Sequence, residues 1–204
     1  MTFAHFSSDP TTDSDDYWTN VKHLTGAFEN YQLYLGTGGT QFYYDSAGLN
    51  IGFGYNITAN LQIDPDTGNS VAYDALTEVG LHFSTTEWNQ IVAEANISAS
   101  SYTGKTPTQL NALSATANTN IDAVAQATDS KSITQSQAYT LMNNFYNDNV
   151  FPLLNQTLVT TDSSYTNSIT SVGLADEAYN TQKSVAPIAA FVSRSRQDFN
   201  DNDI

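Results

Sequence analysis

Between residues 29 and 56 the chain sets out two carboxylic acids and a glycine-rich stretch in a fixed order: Glu29, then Tyr44-Asp45-Ser46-Ala47-Gly48, then Leu49-Asn50-Ile51-Gly52-Phe53-Gly54-Tyr55-Asn56. Two carboxyl groups held together suit the cutting of a glycosidic bond. One must keep its proton for the leaving oxygen, while a second carboxylate or polar group positions water or stabilises oxocarbenium-like charge. Glu29 is the candidate proton donor. Near a helix C-terminus it would sit in a negative partial field, and Phe28 and Tyr31 could desolvate it; both effects raise a carboxyl pKa. Asp45 is the candidate for the second role. Its competing use is to cap the Ser46-Ala47-Gly48 turn through its own side chain.

The elements that must position these groups follow from periodicity. Val21, Leu24, Phe28 and Tyr31 recur at helical spacing, with Asp15 and Asp16 suited to the first turn, so a first helix is predicted to carry Glu29 near its end. Gly36, Gly38 and Gly39 break it before a first strand at Gln41-Phe42-Tyr43-Tyr44. Leu49, Ile51, Phe53 and Tyr55 alternate with Asn50, Gly52, Gly54 and Asn56, the two-residue period of a half-buried strand. Glycine adds nothing to strand propensity, so Gly52 and Gly54 are expected to admit the close approach of another backbone or a polymeric ligand. Helices are predicted around Ala72–Leu76, Thr86–Val92, a run from Thr108 through Leu110, Leu113, Ala117, Ile121 and Val124, and a run through Ala138, Leu141, Met142 and Phe145. The last opens on Thr134-Gln135-Ser136-Gln137, a capping-box pattern. Further helical or apolar stretches follow at Ile169–Tyr179 and Val185–Val192. Only the first third shows strand character, which predicts an α+β fold. Residues 1–14 read as a flexible arm and 15–204 as one domain, with a small β lobe over about 40–65 and a helical lobe over about 70–204.

The order Glu29, Tyr-x-Asp-x-x-Gly at Tyr43 to Gly48 and Ile-Gly-x-Gly at Ile51 to Gly54 resembles the phage-type lysozymes, or muramidases, and the ending through Tyr55-Asn56-Ile57 looks most like their pesticin-like branch. The resemblance covers roughly residues 20–60, and more loosely a stretch from Gly173 to Asn180. It implies a lysozyme-like α+β fold that hydrolyses the β-1,4 bond between N-acetylmuramic acid and N-acetylglucosamine. Glu29 would be the general acid, with Asp45 and Asn50 handling the water or the charge. Tyr44, Tyr55, Asn56, Asp176 and Asn180 would contact the glycan. Asn50 stands where the phage enzymes carry threonine and Asn56 where the pesticin-like branch carries aspartate. An amide at Asn50 can hold a water but is a poor base, so its expected work is positioning.

Composition bounds the partners. Six Lys and Arg against 21 Asp and Glu give a formal net charge of −15, which argues against nucleic acid, since binding it requires basic groups to displace phosphate counterions. No cofactor and no metal are expected: His5, His23 and His82 lack metal-ligand spacing, and the acidic runs at Asp64-Pro65-Asp66-Thr67-Gly68 and Asp198–Asp203 lack the glutamate at the twelfth position of a calcium loop. No stretch approaches the ~20 apolar residues of a membrane span, and the N-terminus has no basic region followed by an apolar run, so neither membrane insertion nor a signal peptide is expected. A wall hydrolase of this kind would be made in the cytoplasm and reach the periplasm or wall by another route, as a phage endolysin, tail lysozyme, bacteriocin or secreted effector. Its partner is then the glycan strand of peptidoglycan, with an inhibitor or immunity protein as a further one. The alternative is a peptidoglycan- or glycan-binding module, or a virion structural protein, with a degenerate cleft.

Overall fold

The structure is a computed structural model and describes residues 26–150; the expected arm at 1–14, the start of the first helix, Asp176, Asn180 and the late helical stretches lie outside the described residues. Residues 26–142 make one compact unit, and Asn143 onward groups with the chain termini. In the first unit, α1 ends over residues 26–29. The sequence predicted that this helix would run on through Tyr31, but it stops at Asn30. That residue leaves helical geometry (φ −151°, ψ 83°) and caps a separate short helix, α2 (Tyr31–Tyr34), its Oδ1 accepting from the Leu33 N–H at 3.1 Å. Asparagine is favoured at an N-cap because its side chain satisfies an otherwise unpaired helix donor. The break changes the faces: Phe28 and Tyr31, expected to be apolar contacts, are 78% and 61% exposed.

Three short strands follow, β1 (Tyr43–Asp45), β2 (Gly48–Ile51) and β3 (Tyr55–Asn56), in an antiparallel meander. The alternation from Leu49 to Tyr55, read as one strand, is therefore a hairpin. Gly52 (φ +65°) and Gly54 (φ +77°) adopt the left-handed conformation that turns the chain. Nor is the stretch half-buried, because β2 is covered on both faces. Register puts Tyr43, Asn50 and Asn56 side by side on one face, with Asp45 opposite Gly48 on the same face, and leaves Tyr44 and Leu49 on the other.

Sheets this small are not stable alone and need packing against helices. Following α3 (Val71–Glu78) in the chain, helices α4 (Thr85–Ala95) and α5 (Pro107–Val124) provide it, while α6 (Gln135–Phe145) sets Tyr139 against Phe53 of the hairpin turn. Strand β1 is an edge, and its free backbone groups are met by α5 side chains: the Tyr44 N–H donates to Ser114 Oγ at 2.8 Å and Asn118 Nδ2 donates to the Phe42 carbonyl at 2.8 Å. On the other side, Thr58 Oγ1 accepts from the Leu49 N–H at 2.9 Å and donates to the Ala95 carbonyl at 3.1 Å, tying β2 to the end of α4. The four helices match the expected positions, and the architecture is α+β. Helix α5 starts at Pro107 behind a Thr106–Gln109 capping box, just ahead of the predicted opening at Thr108. At α6, the Gln137 N–H donates to Thr134 Oγ1 at 3.2 Å while Gln137 Oε1 accepts from the Thr134 N–H at 3.0 Å, the reciprocal pair that the sequence pattern required.

Beneath α4 lies a buried acid. Glu87 is fully buried, and no N–H or O–H donor satisfies its carboxyl oxygens. Burial, then the adjacent Asp129 carboxylate, push it up to about 7 from an ordinary 4.5; Asp122 adds to the shift and Lys131 opposes it. Asp129 is held below its usual range despite some desolvation, because the Gln126 N–H and the Ser84 hydroxyl and N–H donate to it. Two carboxyl groups side by side can hydrogen-bond only by sharing a proton, which Glu87 keeps. An acid with a raised folded pKa contributes stability in full below its unfolded value and loses it as pH climbs through the folded one. Melting temperature is therefore expected to fall by several degrees from pH 5 to pH 8, and to stay nearly flat over that range in Glu87→Gln, whose amide can donate to Asp129 without titrating. A wild-type melting temperature that is level or rising across that range would contradict this pairing.

Candidate active site

Glu29 closes the last turn of α1, half-buried, with its carboxyl directly over Gly54: a Cβ at Gly54 would collide with the Glu29 side chain. The close approach expected at this glycine is thus made by the glutamate itself. Helix α1 is fixed to the hairpin by the next residue, since Asn30 Nδ2 donates to the Gly52 carbonyl at 3.1 Å and to the Gly39 carbonyl at 2.8 Å. The Gly36-to-Gly39 loop, expected to separate the first helix from the first strand, is anchored by that second bond. Asn30 therefore does three things at once: it ends α1, starts α2 and holds the hairpin turn under Glu29.

Tyr43 completes the cluster. Its phenol is pushed well above the usual tyrosine range, by burial first and then by the negative fields of Glu29 and Asp45, while the Gly54 backbone opposes the shift without reaching full hydrogen-bond geometry. A phenol that stays protonated is a neutral donor lying within the fields of both acids. Asp45 realises its turn-capping use, with Oδ1 accepting from the Ala47 N–H at 2.6 Å and the Gly48 N–H at 3.0 Å. Those bonds fix the carboxylate and leave its Oδ2 outside the turn. Glu29, Tyr43, Asp45 and Gly54 together can present a proton donor, a neutral hydroxyl and an oriented carboxylate.

The other expected site residues serve the hairpin. Asn50 is 1% exposed and its Nδ2 donates to the Gly48 carbonyl at 2.9 Å. Asn56 Oδ1 accepts from the Ala59 N–H at 2.8 Å, starting the short 3-10 helix at Thr58–Asn60, and its Nδ2 donates to the Ala47 carbonyl at 3.4 Å. Tyr44 is a core residue: its hydroxyl donates to the Glu94 carbonyl at 2.7 Å and its ring stacks on Tyr102. Tyr55 is buried as well, and burial raises its phenol pKa. Sequence reasoning did not single out Tyr43 or Asn30. The signal for Tyr43 was present, because it stands two residues before Asp45 and so shares its strand face. Among the described residues, no group of three His, Asp or Glu side chains gathers where it could hold a metal ion.

Compared with protein-family models, with curated proteins and with solved structures, the chain gives no match.

The Glu29–Gly54 contact can be isolated from backbone strain. Gly54 and Gly68 share nearly the same left-handed φ (+77° and +75°), but a Cβ at Gly68 meets nothing within 4 Å. Gly68→Ala should cost only the strain of a non-glycine residue in that region, about 1–3 kcal/mol. Gly54→Ala is expected to cost measurably more in urea unfolding, and adding Glu29→Ala should bring the penalty back to the Gly68→Ala level. Equal penalties in the two single variants would contradict the contact.

Proposed function

We propose that this protein is a lysozyme-like N-acetylmuramidase that cleaves the β-1,4 bond between N-acetylmuramic acid and N-acetylglucosamine in peptidoglycan. The observation that carries the reading is the convergence of Glu29 and Asp45 on Tyr43 beside the glycine at position 54, where two acids of different surroundings share one small region. Glu29 is the general acid. It protonates the glycosidic oxygen as the bond to the anomeric carbon breaks, and the departing sugar leaves as an alcohol. Asp45, whose carboxylate is fixed by two turn N–H groups, faces the developing positive charge or the attacking water. Tyr43 stays neutral and supplies a hydroxyl within the fields of both acids. Asn50 supports Asp45 indirectly, by holding the Gly48 carbonyl at the foot of the same turn. Gly54 keeps side-chain bulk off the acid.

A second reading, a glycan-binding module that does not cleave, is favoured by Asn50 and Asn56: both amides are engaged in hairpin hydrogen bonds, where a hydroxyl and an acid were expected. Loss of turbidity of purified sacculi separates the two. The muramidase reading expects clearance by the wild type and a loss of about 100-fold or more in Glu29→Gln, the usual contribution of a general acid. Asp45→Asn, which can still cap the turn, should lose less. Clearance by Glu29→Gln at the wild-type rate would overturn the assignment of Glu29, and binding of chitooligosaccharides with no clearance by the wild type would favour the second reading.

A further inference from the structure

Away from the Glu29 cluster, helix α4 carries two distinct faces. Glu87, Ile91, Glu94 and Ala95 turn inward and are buried. Thr85, Trp88, Val92 and Asn96, spaced by three and four residues, line an open groove of about 530 Å³ that is closed on its other side by Tyr73 of α3 and by Asn69 of the preceding turn. This volume is typical of small-molecule sites. Trp88 lines it, with the Tyr73 ring in a T-shaped contact at 5.1 Å and the Phe83 ring tilted at 5.6 Å, so the indole is braced by two neighbouring rings.

The opposite wall is preformed. Within the turn before α3, the Asp64 N–H donates to the Asn69 carbonyl at 2.8 Å, the Gly68 N–H donates to the Asp64 carbonyl at 2.8 Å, and the Val71 N–H donates to the Gln62 carbonyl at 3.0 Å. Asn69 is oriented by its own amide, whose Nδ2 donates to Asp74 Oδ1 at 2.8 Å. A rigid wall limits the ordering cost of binding. Among the described residues, no charged side chain lines the groove, although the chain as a whole carries −15. The surrounding negative field disfavours an anionic ligand, and the Asp74 carboxylate bonded to Asn69 is already engaged by the Asn69 amide and the Thr67 hydroxyl.

We propose that this groove is a binding site for an uncharged oligosaccharide, separate from the Glu29 cluster. The C–H face of a pyranose ring is apolar and packs on an aromatic plane, while its rim hydroxyls need amide and hydroxyl partners. Trp88 and Tyr73 supply the first; Asn69, Thr85 and Asn96 supply the second. The inference stands independently of the muramidase reading, since it uses none of the same residues.

Trp18 and Trp88 are the only tryptophans in the chain, so in a Trp18→Phe background the emission reports Trp88 alone. The probes are chitotetraose, cellotetraose, xylotetraose and, as an anionic control, tetragalacturonate. A saturable emission change is expected with at least one neutral tetrasaccharide and not with the anionic one. Affinity should drop at least tenfold in Asn96→Ala and in Thr85→Arg, both at exposed positions, with circular dichroism showing that each variant is folded. Glu29→Gln should bind as the parent does. The proposal is overturned if no neutral saccharide changes the emission, if the anionic one is preferred, or if the folded groove variants bind with parental affinity. A response abolished by Glu29→Gln alone would place the binding at the Glu29 cluster and overturn the groove too.

Discussion

The pairing of strand β1 with helix α5 is the constraint from which the rest of the described structure follows. A three-residue edge strand exposes backbone donors and acceptors that are costly to bury unpaired. Ser114 and Asn118 take the Tyr44 N–H and the Phe42 carbonyl, so a helix side-chain row does the work of a fourth strand. This accounts for Ser114 and Asn118 on the inward side of α5, four residues apart and so on one face. It also fixes which way β1 faces. With Tyr44 committed to the Glu94 carbonyl and Tyr102 on one side, Tyr43 and Asp45 must lie on the other, where Glu29 approaches.

The Glu29 cluster inherits its geometry from that arrangement through Asn30. The described turn of α1 lies beside the hairpin, and the Asn30 amide holds Gly52 and Gly39 simultaneously. A carboxylate so close to a turn requires glycine beneath it, and the left-handed φ at Gly54 requires glycine for a second reason. One residue type thus satisfies a conformational and a steric demand at one position. The muramidase reading draws on this same economy: two hydrogen bonds from the Asn30 amide to backbone carbonyls hold the end of α1 at the hairpin, and two turn N–H groups fix the Asp45 carboxylate.

Much of this was legible from residue order. The capping pattern at Thr134, the helical spacing from Leu110 to Ile121 and the Asp45 turn each rest on local chemistry, and local chemistry decided them. The hairpin at Gly52 and Gly54 was hidden because period-two alternation continues across a tight glycine turn as it does along a strand. The stop at Asn30 was hidden because Phe28 and Tyr31 keep helical spacing across a break that a cap imposes. Tyr44, Tyr55, Asn50 and Asn56 looked like cleft residues because polarity and aromaticity do not reveal which face a strand turns inward. That choice is made by α4 and α5, dozens of residues further on. Glu87 could not be foreseen either, since its carboxylate partner Asp129 comes from the turn that follows α5, some forty residues on.

The muramidase reading proposes that Glu29, over Gly54, and Asp45, in the turn to Gly48, hydrolyse the muramic acid to glucosamine bond. Mass spectrometry of peptidoglycan digested by the wild-type protein tests it most directly. The account requires disaccharide-peptides with reducing N-acetylmuramic acid ends, produced by wild type and absent with Glu29→Gln. Anhydro-muramic ends, released peptides without glycan cleavage, or undigested sacculi would contradict it.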